Sequence, residues 1–188
     1  SLIYLQIGKI MIEWITKDAS NLSYYDQAEK IITIPLTIIT VLNTVVMPRI
    51  ANEFKNGNKK KIEQLLISTA KFTMFLACPL MIGIISIADK FIPWYLGNSF
   101  SACISIMYIL APIIITNSLI GISGTQYFTA TNQINILVKS YSLAALLNIV
   151  LNTIFISLYS FVGAAISTVI SSLILTIIQY YYLNKQIK

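Results

Sequence analysis

The sequence predicts an all-α polytopic membrane bundle of about six transmembrane helices, and three observations predict it. Residues 72–188 carry formal charge only at Asp89, Lys90, Lys139, Lys185 and Lys188, leaving runs such as 91–138 and 140–184 with none. A bilayer-spanning helix needs only about 20 mostly apolar residues. Composition agrees: 56% of the chain is hydrophobic, 11% is charged and the mean hydropathy is +0.76, whereas soluble domains carry roughly 25% charged residues. Finally, the apolar runs lack the strict alternation of a membrane barrel, and backbone groups in lipid must bond within their own segment, so helices remain.

Taken in order, the first span covers about 1–16 and begins in mid-run at Ser1, as a piece of something longer does. Lys17 to Tyr25 reads as a polar connection, because Asp18, Ser20 and Asn21 are turn formers. The second span is about 28–50 and holds Pro35 and Pro48. Asn56, Gly57 and Asn58 then make a turn ahead of Lys59, Lys60 and Lys61, and Ile62 to Lys71 reads as an amphipathic interfacial helix entering the third span at 72–88. Residues 91–101 mix Phe91, Pro93, Trp94, Tyr95, Gly97 and Phe100, an interfacial composition. The fourth, fifth and sixth spans are about 102–128, 137–158 and 162–183, the last two joined by a short hairpin at Ser160 to Gly163.

Charge asymmetry fixes the orientation. With six spans, Arg49, Lys55, Lys59, Lys60, Lys61, Lys71, Lys139, Lys185 and Lys188 share one side, while the other holds Lys17, Lys30 and Lys90 with Asp18, Asp26, Glu29 and Asp89. Lys and Arg near helix ends accumulate in the cytoplasm, so the lysine-rich turn and the C-terminus are expected there. An anionic inner leaflet is a sufficient partner for the net charge of +6, and no nucleic acid is needed. The chain has no histidine, which removes the commonest general base and metal ligand. Cys78 and Cys103 lack metal or CxxC spacing and read as small hydrophobes, so neither a metal nor a cofactor is expected.

Polar groups inside the spans are the functional candidates, because lipid makes them costly. Lys9 and Glu13 stand four residues apart on one helical face where they can pair, and Gln6 extends that face. One reading has Glu13 and Trp14 at the outer interface with Lys9 snorkelling; the sharper one has Lys9 facing a wet cavity and an anionic substrate. Asn43, Asn117 and Gln126 are further cavity candidates. Asn148 and Asn152, at i and i+4, read as glue between helices. Pro35, Pro79 and Pro112 sit within spans as sites for a bend.

Seven segments in one order resemble a known family: Tyr4-Leu5-Gln6-Ile7-Gly8-Lys9-Ile10-Met11-Ile12, Tyr25-Asp26-Gln27-Ala28-Glu29-Lys30-Ile31, Val46-Met47-Pro48-Arg49-Ile50, Pro79-Leu80-Met81, Leu96-Gly97-Asn98-Ser99-Phe100, Leu147-Asn148 through Leu151-Asn152, and Gly163-Ala164-Ala165-Ile166-Ser167-Thr168. The order resembles the oligosaccharide repeat-unit flippases, exporters of O-antigen and capsule units within the multidrug/oligosaccharidyl-lipid/polysaccharide exporter superfamily. The resemblance implies the C-terminal lobe of a two-lobe carrier whose N-terminal lobe lies elsewhere in the same polypeptide. Such a carrier moves an undecaprenyl-pyrophosphate-linked oligosaccharide across the bacterial cytoplasmic membrane by alternating access, for surface polysaccharide synthesis. The family's charged first-span position corresponds to Lys9. Gly8 stands where an Asp is expected, Glu13 where a small residue is, and Ser172 where a Glu is.

The implied partners are the lipid-linked oligosaccharide and membrane lipids, with Lys9 holding the pyrophosphate and Glu13 a candidate for ion coupling. A drug or lipid II exporter of the same superfamily is the alternative. A polytopic polymerase or acyltransferase fits less well: it needs a catalytic base and a large polar loop, and the longest outer connection is short, so the chain reads as a carrier and not an enzyme.

Overall fold

The computed structural model describes residues 3–187, with side chains from Gln6 onward, and every long element in it is a helix. The order is α1 (Ile3–Thr16), α2 (Ala19–Lys55), α3 (Lys59–Tyr95), a 3-10 turn (Asn98–Phe100), α4 (Ala102–Leu110), α5 (Ile113–Ile120) continued by a π-helical segment (Gly121–Thr129), and α6 (Ile134–Ile187). Among the described residues, four helical stretches are long and apolar enough to cross a membrane: Ala19–Lys55, Lys59–Tyr95, Ala102–Thr129 and Ile134–Ile187.

The last of these is broken at Ser160, whose φ of 53° and ψ of −136° leave the helix. The two arms, 134–159 and 161–187, fold back antiparallel, as the bonds from Asn148 to Ser171 and from Gln179 to Ser140 show. A Cβ at Gly163 would overlap the Phe155 carbonyl, so only glycine lets the second arm leave the turn this close to the first. The reversal is tighter than the expected Ser160 to Gly163 hairpin: one residue makes it.

Several boundaries differ from the sequence reading. The polar connection shrinks to Lys17 and Asp18, because the Asp18 carboxylate accepts from the Ser20 amide at 2.9 Å and caps α2, so the stretch through Tyr25 is helical. The expected interfacial helix at 62–71 is no separate element but the start of α3, and α3 also absorbs Phe91 to Tyr95 before Leu96 and Gly97, at φ 89°, turn the chain. Pro35 and Pro79 lie inside unbroken helices, whereas Pro112 divides the fourth expected span into α4 and α5. Cys103 is buried and donates to the Tyr24 carbonyl, while Cys78 is half-buried.

α2 and α3 form a hairpin whose turn uses Gly57 at φ 70°. Beside it, Glu53 pairs with Lys61 at 2.6 Å and accepts from the Asn58 amide at 2.8 Å. Lys61 first, then Asn58, holds that carboxyl below its ordinary value of 4.5. The main core gathers Ile12, Tyr25, Ile32, Ile106 and Ile114 between α1, α2, α4, α5 and α6. Phe75, Leu158 and Ile177, by contrast, are each about two-thirds exposed or more, at 72%, 67% and 66%. An apolar outside around a core studded with buried Asn, Gln, Ser and Thr is the arrangement expected of a helix bundle in lipid.

Candidate functional site

The charged groups nearest the helix interior come from α1 and the first turns of α2. Lys9 Nζ lies 2.7 Å from Asp26 Oδ1 and 2.8 Å from Glu29 Oε2. The other oxygen of Asp26 takes Lys30 Nζ at 2.7 Å. Two cations and two carboxylates thus close a neutral cluster in which Glu29 is 10% exposed and Lys30 is 63% exposed. The expected Lys9–Glu13 pair does not form. Glu13 is exposed on α1, and so is Gln6. The true partners lie on the next helix because the early start of α2 brings Asp26 and Glu29 alongside α1.

From this cluster a polar stripe runs along one face of α2. Asp26, Glu29, Thr33, Thr37, Thr40 and Thr44 follow one another at steps of three or four residues, the repeat of one helical face. Thr33, Thr37, Thr40 and Thr44 donate their hydroxyl protons to backbone carbonyls of α2, those of Glu29, Thr33, Thr37 and Val41. Each hydroxyl is therefore satisfied in an apolar setting and still presents a free lone pair outward, able to accept from a ligand hydroxyl.

The threonines line a cavity of about 410 Å3, closed on the opposite side by Asn117 of α5, Thr125 of the π segment and Tyr141 of α6. Asn43 lines it as well, and its Oδ1 accepts from Gln126 Nε2 at 2.8 Å. Gln126 itself is wholly buried and spends its amide on Asn43. Gly121 permits this contact, since a Cβ there would run into the Asn43 amide. Of the six residues picked from sequence, Asn43 and Asn117 line the cavity, Lys9 joins the ion cluster one turn from Thr33, Gln126 supports Asn43, and Gln6 and Glu13 stand apart. Sequence reasoning passed over Asp26, Glu29 and the threonines, although the threonine spacing was there to be read.

A second polar set holds helices together. Asn152 donates to Asn148 at 2.9 Å and Asn148 to Ser171 at 3.2 Å, so the pair bridges the arms of α6 as expected. Tyr25 bonds Thr168 at 3.1 Å, Ser123 donates to Gln179 at 2.7 Å, and Thr116 meets Ser172 at 2.9 Å. Ser172, where the resemblance implied an acid, is thus a small contact between α5 and α6.

The family model described as Lipid II flippase MurJ matches residues 1–188. The chain belongs to the Lipid II flippase MurJ family. Curated relatives include a probable low-salt glycan biosynthesis flippase, Agl15, of Haloferax volcanii, 24% identical over 88% of this chain and 35% of that protein. They also include the teichuronic acid biosynthesis protein TuaB of Bacillus subtilis, 30% identical over 57% of this chain and 22% of that protein, and the lipid II flippase MurJ of Bacillus subtilis, 25% identical over 74% and 26%. A solved structure of lipid II flippase MurJ in an inward closed conformation superposes with a TM-score of 0.80 over 97% of this chain and 40% of that one, at 22% identity. The chain therefore has the MurJ-like helical fold and spans well under half the length of each of these proteins. The match places it in the superfamily of lipid-linked glycan flippases to which its motifs pointed.

Proposed function

We propose that this chain is the C-terminal lobe of a flippase that carries a polyprenyl-pyrophosphate-linked glycan across the cytoplasmic membrane by alternating access. The observation that carries the reading is the stripe on α2: a row of hydroxyls lines a cavity, and a cluster of paired charges continues the same helix face beyond it. A sugar offers hydroxyl donors to such a wall. A pyrophosphate offers negative charge to Lys30, the most exposed cation of the cluster, and competes with Asp26 for it. Lys9, pinned by two carboxylates, sets the charge balance and becomes available to the anion only if one of them is neutralised or moves.

In this reading the chain crosses the membrane six times: α1, α2, α3, α4 with α5 and the π segment, and the two arms of α6. The turn at Lys59 to Lys61 and the C-terminus face the cytoplasm, and an N-terminal lobe completes the cavity. The chain acts as a carrier rather than an enzyme, since its family consists of flippases and its cavity offers hydroxyls and amides. The repeat unit of a surface polysaccharide is the cargo first expected. Lipid II is the second reading, favoured by the family description and by the Bacillus subtilis relative. Both cargoes share the pyrophosphate and a sugar.

The test uses a strain lacking the full-length protein. Accumulated lipid-linked intermediates are identified by mass spectrometry, with and without the gene and its Lys30→Ala variant. Build-up of a complete polyprenyl-linked unit on the inner leaflet supports the carrier and names the cargo. Absence of any such intermediate would overturn the carrier reading.

A further inference from the structure

A second cavity gathers polar groups that the carrier reading leaves unused. It measures about 330 Å3 and lies where the α2–α3 turn meets the end of α6, lined by Phe54, Lys59 and Ile62, by Tyr127 and Gln133, and by Gln186 and Ile187. Its chemistry is mixed in a particular way. Lys59 supplies a cation, with Lys60 next to it, while Lys61 is already held by Glu53. Among the described residues the side-chain oxygens of Gln133 and Gln186 are buried without a hydrogen-bond partner, while the Gln133 side chain also meets the Tyr127 hydroxyl. Amide oxygens require donors, and an ionised phosphodiester has none; a ligand that answers both the lysine and the amides carries a phosphate together with hydroxyls. Phe54, which lines the cavity, exposes 45% of its surface and offers an apolar contact to an acyl chain.

We propose that this cavity binds the headgroup of an anionic glycerophospholipid whose head is itself a polyol, phosphatidylglycerol being the simplest. The phosphate sits at Lys59, and the headgroup hydroxyls donate to Gln133 and Gln186. The proposal rests on the membrane placement given above. A basic turn alone attracts any anionic lipid in proportion to charge; the two amide oxygens add a preference for hydroxyls.

The experiment titrates the purified full-length protein in neutral detergent with three probes: dioctanoyl phosphatidylglycerol, dioctanoyl phosphatidic acid and glycerol 3-phosphate. Phosphatidylglycerol is expected to bind about tenfold tighter than phosphatidic acid, the effect of two ordinary hydrogen bonds, and glycerol 3-phosphate far more weakly than either lipid. The pair Gln133→Leu with Gln186→Leu should erase the preference and keep phosphatidic acid binding, whereas Lys59→Gln should weaken both lipids. If the leucine pair fails to fold, Gln186→Glu keeps an acceptor and repels the phosphate, and both lipids should bind less well. Equal affinity for the two lipids, a preference that survives the leucine pair, or tight binding of glycerol 3-phosphate would each overturn the proposal. A protein that inserts into vesicles but shows no headgroup preference defeats this site alone; a protein that needs no membrane defeats the placement as well.

Discussion

The two polar systems of this bundle use the same currency in opposite ways. Between the arms of α6, Asn148, Asn152, Ser171 and Thr168 are neutral, wholly buried and bonded to one another or to a neighbouring helix. Along α2 the polar groups are charged at one end and hydroxylic along the rest, and the hydroxyls are open to a cavity. The first system answers a demand of the fold: amides in an apolar interior seek partners, and although Asn152 Oδ1 is left without one among the described residues, the bonds between the arms fix register. The second exceeds what the fold demands, because threonines already satisfied by their own helix gain nothing by sharing one face. Polar groups that close on themselves hold the structure, and those that face a void are available to a ligand.

The largest effect expected to separate the systems is at Lys9. Removing it in Lys9→Ala leaves Glu29 facing an apolar interior without its cation, which costs on the order of 3–5 kcal/mol; both the amount of folded protein and transport should fall to background. Adding Glu29→Gln should restore the amount measured by fluorescence size exclusion but not transport, and recovery of transport in the double variant would reduce the cluster to a structural pair.

Next in size is Asn152→Leu. Loss of its bond to Asn148 should lower stability by about 1–2 kcal/mol, read as a lower Tm, while transport per folded molecule stays unchanged. A transport defect without a stability defect would erase the distinction between the two systems. Replacing Thr33, Thr37 and Thr40 together by valine should do the reverse, leaving stability within about 0.5 kcal/mol of the parent and reducing transport several-fold in a vesicle flipping assay.

Two smaller effects concern the turns. Glu53 has a carboxyl pKa lowered by Lys61 and Asn58, so its contribution to the α2–α3 turn is fully present above the ordinary value of 4.5 and is lost as the pH falls through the lowered folded value. Hydrogen exchange at residues 54–61 should be flat from pH 7 to about 4.5, after correction for intrinsic rates, and faster only below that, with Glu53→Gln removing the dependence. Ser160→Gly places glycine at a φ of 53° that serine adopts only under strain, and should raise stability by about 1 kcal/mol.

Much of this was legible in the sequence because the signals are local. Apolar run length announced the helices, the i, i+4 asparagines announced their contact, and the polar interruption at Ser160 announced the reversal. The ion cluster was illegible for the same reason. Lys9 finds its partners 17 and 20 residues away, and local spacing offered Glu13 instead. Asp18, Ser20 and Asn21 read as turn formers in a connection running to Tyr25, when Asp18 was in fact a cap and opened a helix that carries Asp26 alongside α1. The threonine stripe carries no charge, so a search for charge overlooked it. Nothing in the sequence of Gly121 to Thr129 distinguishes π from α pitch.

α2 and α3 are each 37 residues long, about 55 Å at 1.5 Å per residue, against a hydrocarbon slab of about 30 Å. Two such rods joined by three residues outrun that slab, and in the six-span placement proposed above the turn at Gly57 reaches the headgroup layer. A tilt of about 5° at the level of the threonines becomes a displacement of roughly 2 Å at that turn. A spectroscopic label at Asn58 therefore sits at the far end of a lever, where a small repacking around the cavity is easiest to see.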